Sequence, residues 1–133
     1  MEKLRYPSVA EVIAIHERVM RGLGETPRPL RDEGLLESAL HRPLMAAYYE
    51  GADLIRQATL LGTGISQAQA FLDGNKRTAF QTLDAFLWVN SWEFIGDPLE
   101  LAKQLEQFAE RSSDADAAIA AFEAWLRERV QPR

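Results

Sequence analysis

Apolar residues recur every three or four positions along most of the chain, which is the spacing of helices that bury one face. The first such stretch follows Ser8, which forms a capping box with Glu11, and glycines at 22 and 24 are expected to end it. Asp32 is expected to cap a second helix. Asp97, followed by a proline and then Glu100, predicts the start of another helix. The pattern predicts helices from Ser8 to Gly22, from about Glu33 to His41, from about Asp53 to Gln69, from Asn75 to Asn90, after Asp97, and after Ser113 or Asp114.

Prolines and glycines define the remaining segments of the chain. Prolines in the segment 25–30 predict a loop, and Pro43 is expected to end the second helix, leaving Leu44 to Tyr49 as a brief apolar piece. Gly62 and Gly64 weaken the third helix but permit close packing against a neighbour. Trp92 to Ile95 is predicted to be a short extended piece. The fold class indicated is all-α, a single compact bundle of about six helices over residues 1–133.

Composition excludes several classes of function. The chain has 133 residues, enough for one domain with one core, and 47% of them are apolar. The absence of cysteine excludes disulfides and thiolate metal sites. A formal charge of −5 disfavours nonspecific binding to nucleic acid. No apolar run is long enough to span a membrane, and the first residues do not resemble a secretory signal, so a cytoplasmic location is expected.

The segment 69–78, Gln-Ala-Phe-Leu-Asp-Gly-Asn-Lys-Arg-Thr, carries the clearest chemistry. Gly74 and Asn75 allow a sharp turn into a helix whose first N–H groups would bind an anion. Lys76 and Arg77 add positive charge in the first turn, where the helix dipole disfavours it unless an anion is bound. Asp73 stands where a carboxylate could hold Mg²⁺ beside a phosphate. From spacing alone, a capped helix with two solvated basic side chains is an equally good interpretation.

The same segment resembles the core motif of the Fic/Doc superfamily, His-x-Phe-x-Asp-(Gly/Ala)-Asn-(Gly/Lys)-Arg. Phe71 and the five residues from Asp73 to Arg77 match at the right spacing, and the lysine is similar to the death-on-curing (Doc) branch. Val12 to Glu17 and Leu30 to Pro43 also resemble conserved blocks of that branch. The resemblance therefore extends over about residues 6 to 95.

The resemblance implies the toxin of a type II toxin–antitoxin system. The Doc branch transfers a phosphoryl group from ATP, or another nucleoside triphosphate, to a threonine of a translation elongation factor, whereas the Fic branch transfers AMP. By resemblance, Asp73 would hold Mg²⁺, and Gly74, Asn75 and the adjoining N–H groups would cradle phosphate. Lys76 and Arg77 would neutralise phosphate charge, and Phe71 would fix the loop in the core.

Gln69 departs from the family pattern, which has histidine at this position as the base that accepts the hydroxyl proton. An amide has no useful basic site near neutral pH, so the chain is expected to be inactive or crippled as written. A laboratory substitution and a natural loss explain Gln69 equally well, and altered chemistry with another base ranks below both. The remaining histidines do not suggest that base, because His16 lies on an apolar helix face and His41 is expected near a helix C-terminus.

The sequence does not fix whether this chain transfers a phosphoryl group or AMP, and two other classes of function remain open. A non-catalytic module could bind an antitoxin or a nucleotide, and a small helical DNA-binding regulator is a poor third because of the acidic balance. The resemblance also implies a cognate antitoxin whose disordered tail folds into a groove of the toxin. Arg28 and Arg31 are expected in a solvated loop outside the site, and the tryptophans 88, 92 and 125 in the core or the groove wall.

Overall fold

Side-chain caps begin the helices where the sequence places them. Ser8 accepts from the Glu11 amide at 3.1 Å, and the Glu11 carboxylate accepts from the Ser8 amide at 3.2 Å. Asp53 caps a later helix in the same way, through the Arg56 amide at 2.9 Å. The computed structural model describes residues 3–110 and 114–133, without the side chain of residue 109, so Ser113 lies outside the described residues. The elements are α1 (Val9–Gly22), α2 (Glu33–Glu50), α3 (Leu54–Ala68), α4 (Asn75–Val89), β1 (Trp92–Phe94), α5 (Pro98–Glu110), α6 (Ala115–Arg127) and β2 (Val130–Pro132).

Helix α3 lies at the centre of the bundle and is buried on every side over residues 57–66. It packs against α2, α4, α5 and α6, while α1 packs against α4. The inner stripe that helical spacing predicts for α3 is buried except at its last position, where Gln69 is exposed; its members are Ile55, Ala58, Gly62, Ile65 and Gln69. The polar residues Thr59 and Thr63 are buried too, and their hydroxyls donate to carbonyls one turn earlier. Because a central helix has no solvent face, its hydrophobic pattern understates its burial.

The predicted all-α class is confirmed for the residues that the structure describes, which form six helices and one small sheet. The sheet is the antiparallel pair of β1 and β2, with Glu93 opposite Gln131. The extended piece at Trp92 was predicted, and its partner at Val130 was not. Across the described ranges, no helix combines the length and the apolar character needed to cross a membrane.

The predicted end of the second helix before Pro43 is wrong, since α2 continues through this proline to Glu50. Pro43 has no N–H for the Ala39 carbonyl, and such a proline costs about 3 kcal/mol in a helix interior. The helix persists because Ala39, Leu40, Pro43 and Ala46 are buried on one face. The segment 44–49 is therefore helical, and His41 lies mid-helix and exposed rather than near a helix end.

The two glycines of α3 have different neighbours, and their replacement by alanine is expected to have opposite effects on stability. A Cβ on Gly64 would lie 3.7 Å from Ala39, an ordinary contact, whereas one on Gly62 would lie 2.6 Å from Leu83 Cδ1. Gly64→Ala is therefore expected to raise the free energy of unfolding by about 0.5–1 kcal/mol through helix propensity. In Gly62→Ala, overpacking of about 1–3 kcal/mol should exceed that gain. Equilibrium urea unfolding measures both, and an equal change in the two variants would contradict the expectation.

Candidate active site

The segment between α3 and α4 turns sharply at each of its two ends. Gln69, which follows the last residue of α3, has a left-handed backbone with φ of 52°. Gly74, which precedes the first residue of α4, is also left-handed, with φ of 75°. Few residues other than glycine adopt this conformation without cost, so Gln69 is held there by its surroundings.

Asn75 and Phe71 hold the loop together from inside. The Asn75 side chain accepts a hydrogen bond from the Phe71 amide at 3.1 Å and donates one to the Phe71 carbonyl at 2.8 Å. Both residues are buried. Asn75 Nδ2 also lies 3.5 Å from Gln69 Oε1. The Asn75 side chain is thus occupied within the loop, which leaves its backbone N–H as the group available to an anion at the start of α4.

Helix α1 supports the loop from behind through His16 and Met20. The His16 ring stacks on Phe71 with centroids 3.9 Å apart, and its Nε2 lies 2.9 Å from the Asp73 carbonyl oxygen. Because a carbonyl only accepts, Nε2 carries the proton and donates it. His16 is therefore a core residue, as the sequence indicates, and it fixes the backbone of Asp73. Met20 lies against Gly74, where an added Cβ would come within 2.7 Å of its sulfur.

A cleft of about 1060 Å³ opens over this loop. Its walls come from the C-terminal half of α1, the first two turns of α4 and the start of α5. Leu23, Leu72 and Leu99 line it and are 43%, 52% and 72% exposed, so part of its rim is apolar. Exposed charged residues line it as well, among them Glu25 and Glu106. The cleft also contains Gln69 and every residue from Asp73 to Arg77. All of the site residues predicted from the sequence are thus brought together.

One carboxylate oxygen of Asp73 has no hydrogen-bond partner among the described residues. This oxygen, Oδ1, is buried, although a buried carboxylate oxygen ordinarily needs a partner. Over the same part of the chain, no group of three or more His, Asp or Glu side chains could enclose a metal. A single carboxylate suits Mg²⁺, which is bound by one or two carboxylates together with substrate phosphates. The residues present therefore fit this ion when a phosphate accompanies it.

The start of α4 fits the phosphate. Gly74 provides no side-chain cap, so the first N–H groups of the helix point into the cleft without one. Lys76 and Arg77 are exposed there, and the ion pairs found within residues 3–110 and 114–133 include neither of them. Arg18 of α1 lines the same cleft from the opposite wall. The sequence reasoning did not single out Arg18, because its position becomes visible only when α1 packs against α4.

One carboxyl group of α4 has a shifted pKa. Asp84 is half-buried, and its burial raises the pKa of the carboxyl group above its ordinary value. It stands three and four residues after Gln81 and Phe80, which line the cleft, and so it shares their helix face.

A model of the Fic/DOC family matches residues 6–87. The chain belongs to the Fic/DOC family. It is also 35% identical over 97 residues to a protein named Toxin Doc from Mycolicibacterium smegmatis (strain ATCC 700084 / mc(2)155). That alignment covers 68% of this chain and 73% of the relative. The resemblance inferred from the segment 69–78 is thereby confirmed.

The residues that match the Fic/DOC model include the loop and helix α1, which packs behind it. Helix α5, which forms one wall of the cleft, lies beyond the matched residues. One residue of the matched range that was expected in a solvated loop outside the site does not line the cleft, but it contacts the loop below it. The Arg31 side chain donates from Nε to the Gln69 carbonyl at 2.9 Å and from Nη2 to the same oxygen. Trp88 also differs from expectation, since it is 54% exposed and stacks with the Arg133 guanidinium instead of lining the cleft.

Proposed function

We propose that this protein is the toxin of a toxin–antitoxin system, with the site of a phosphotransferase silenced at Gln69. Its substrates would be ATP, or another nucleoside triphosphate, with Mg²⁺, and a threonine hydroxyl of a translation elongation factor in the cytoplasm. The observation that carries the proposal is the unpartnered Oδ1 of Asp73 beside the uncapped start of α4. A metal-bound polyphosphate satisfies both groups at once, because it supplies a cation for one and anionic oxygens for the other.

Different residues of the cleft would have different roles in phosphoryl transfer. The first N–H groups of α4, with Lys76 and Arg77, would hold the phosphates and oppose the negative charge that spreads over the transferred group. Asp73 would hold Mg²⁺, which lowers the charge of the phosphate oxygens when bound. Transfer forms a bond from the threonine oxygen to the γ-phosphorus and breaks the bond to the bridging oxygen, with ADP as the leaving group. The threonine proton then requires an acceptor.

Gln69 lines the cleft, and the family motif has the proton-accepting histidine at its position. Its amide can orient a hydroxyl but cannot accept a proton near neutral pH. The loop, the cradle and Asp73 are nevertheless intact, so nucleotide binding is expected to survive. This observation favours a second candidate function, a non-catalytic module that binds nucleotide or antitoxin and transfers nothing.

An antitoxin is the partner expected of a toxin in this family. The exposed leucines 23, 72 and 99 around the cleft provide an apolar surface on which a disordered antitoxin tail would fold and bury its own apolar side chains. Occupation of this rim would block access to the loop below. We do not propose DNA binding by this chain, whose net charge is −5.

Growth of a bacterial host on induction tests the proposed function. Three chains are compared at equal expression: this chain, Gln69→His, and Gln69→His combined with Asp73→Asn. Growth arrest by Gln69→His alone is the expected result, because only this chain has both the base and the metal ligand. If all three are harmless, the binding module is favoured instead. Arrest by this chain itself would contradict the role given to Gln69.

A further inference from the structure

The segment that precedes α2 holds two consecutive carbonyls of the catalytic loop. The backbone amides of Arg31 and Asp32 donate to the Ala70 carbonyl at 2.8 and 3.2 Å. The Arg31 guanidinium donates to the neighbouring Gln69 carbonyl, from Nε at 2.9 Å and from Nη2. The Asp32 carboxylate meanwhile caps α2 through the Leu35 amide at 3.2 Å. The start of α2 and the end of α3 are thereby joined at Gln69 and Ala70.

These bonds coincide with the strained residue of the loop. Gln69 has φ of 52° and ends α3, so its carbonyl is one of the groups that a helix leaves without an internal partner. A cation at this end of the helix is favoured by the dipole, and a guanidinium provides two parallel donors. A non-glycine residue in this conformation persists only where its surroundings over-determine it. Arg31 contacts the Gln69 backbone from outside the loop, and Asn75 Nδ2 lies 3.5 Å from the Gln69 side-chain oxygen Oε1 inside it.

The backbone at position 69 decides where its side chain points. Gln69 lines the cleft, and its Nε2 donates to the Ser66 carbonyl at 2.8 Å. We propose that Arg31 is a positioning residue, which fixes the left-handed backbone at position 69 and so aims that side chain into the cleft. The expected effect on the transfer rate rests on the proposed function. The orientation of the side chain at position 69 can be tested without any activity.

The first test uses the chain as it is, labelled with ¹⁵N, in Arg31→Met and in Arg28→Met. Arg28 is an exposed arginine of the same loop, so its replacement removes an equal charge without touching Gln69. In Arg31→Met, the Gln69 side-chain amide signals should move towards those of a free glutamine, while Arg28→Met leaves them in place. Unchanged Gln69 signals in Arg31→Met would overturn the inference.

The second test measures whether the orientation of the side chain at position 69 affects the rate of phosphoryl transfer. In the Gln69→His background, Arg31→Met is expected to lower the rate constant for phosphoryl transfer about 10²-fold, the usual scale for a misplaced catalytic group. The dissociation constant for ATP with Mg²⁺ should not change, because the cradle belongs to α4. Arg31→Lys, which retains one donor, should recover part of the rate and also guards against misfolding of Arg31→Met.

The outcomes separate the inference from the proposed function. An unchanged transfer rate in Arg31→Met, or a loss of ATP affinity as large as the loss of rate, would overturn the positioning role. If Gln69→His transfers nothing, the proposed function fails, and the Gln69 amide signals still decide whether Arg31 aims this side chain.

Discussion

Replacing Gln69 with histidine is expected to raise the rate of phosphoryl transfer by about 10²–10⁴-fold, the usual contribution of a general base. Position 69 lines the same cleft as Asp73, Lys76 and Arg77, to which the proposed function gives the other roles. Histidine also tolerates a left-handed backbone better than most residues, so the φ of 52° at this position should be retained. The rate should rise with pH, since only a neutral imidazole accepts the hydroxyl proton.

Purified protein, an elongation factor and ATP labelled in separate reactions at the γ- or the α-phosphate provide the measurement. Label from the γ-phosphate on the protein indicates phosphoryl transfer, whereas label from the α-phosphate indicates AMP transfer. Gln69→Asn serves as the matched control, because asparagine also tolerates the left-handed backbone but adds no base. Equal rates for Gln69→His and Gln69→Asn would show that a base at position 69 is not what the site lacks.

Gly74→Ala is expected to lower the free energy of unfolding by about 2–5 kcal/mol. The left-handed backbone at φ of 75° accounts for about 1–2 kcal/mol of this loss. The remainder, about 1–3 kcal/mol, comes from overpacking, because the new Cβ would lie 2.7 Å from the sulfur of buried Met20. Equilibrium urea unfolding measures the change, and isothermal titration with ATP and Mg²⁺ reports the accompanying damage to the cradle.

Gly51→Ala is the control that isolates the loss of unfolding free energy caused by the left-handed backbone alone. Gly51 has φ of 65°, close to that of Gly74, but nothing lies within 4 Å of the position of its Cβ. It should therefore lose only about 1–2 kcal/mol. If the two variants lose the same free energy, Met20 yields without cost and the close support of the loop by α1 is refuted.

Local signals made most of the fold predictable from the sequence. The caps at Ser8, Asp53 and Asp114 begin helices because the side-chain oxygen and the amide it accepts from are three residues apart. Pro43 misled the prediction because its local cost is offset by burial against α3, which only tertiary packing reveals. The pairing of β1 with β2 joins residues 36 to 40 positions apart, so no local pattern in the sequence indicates which segment is the partner of β1.

The candidate site was predictable as far as it is contiguous in sequence. Phe71 and the run from Asp73 to Arg77 form one short motif. The structure places the run at one cleft and buries Phe71 behind it against His16. Arg31 was missed because its bonds to Gln69 cross 38 positions of sequence. The unpartnered oxygen of Asp73 was invisible for the same reason, since burial depends on the helices that pack around the loop.

The C-terminal end of α4 lies far from the cleft and is a suitable place to attach fluorescent dyes. At that end Asn90 exchanges hydrogen bonds with the Arg5 backbone, at 2.7 and 3.0 Å, and the Ser91 carbonyl accepts from the Arg133 amide at 2.8 Å. The first and last described segments therefore lie side by side, about 22 Å along a 15-residue helix from the phosphate cradle. A donor and an acceptor dye attached there would start close together and separate on unfolding, without obstructing the cleft.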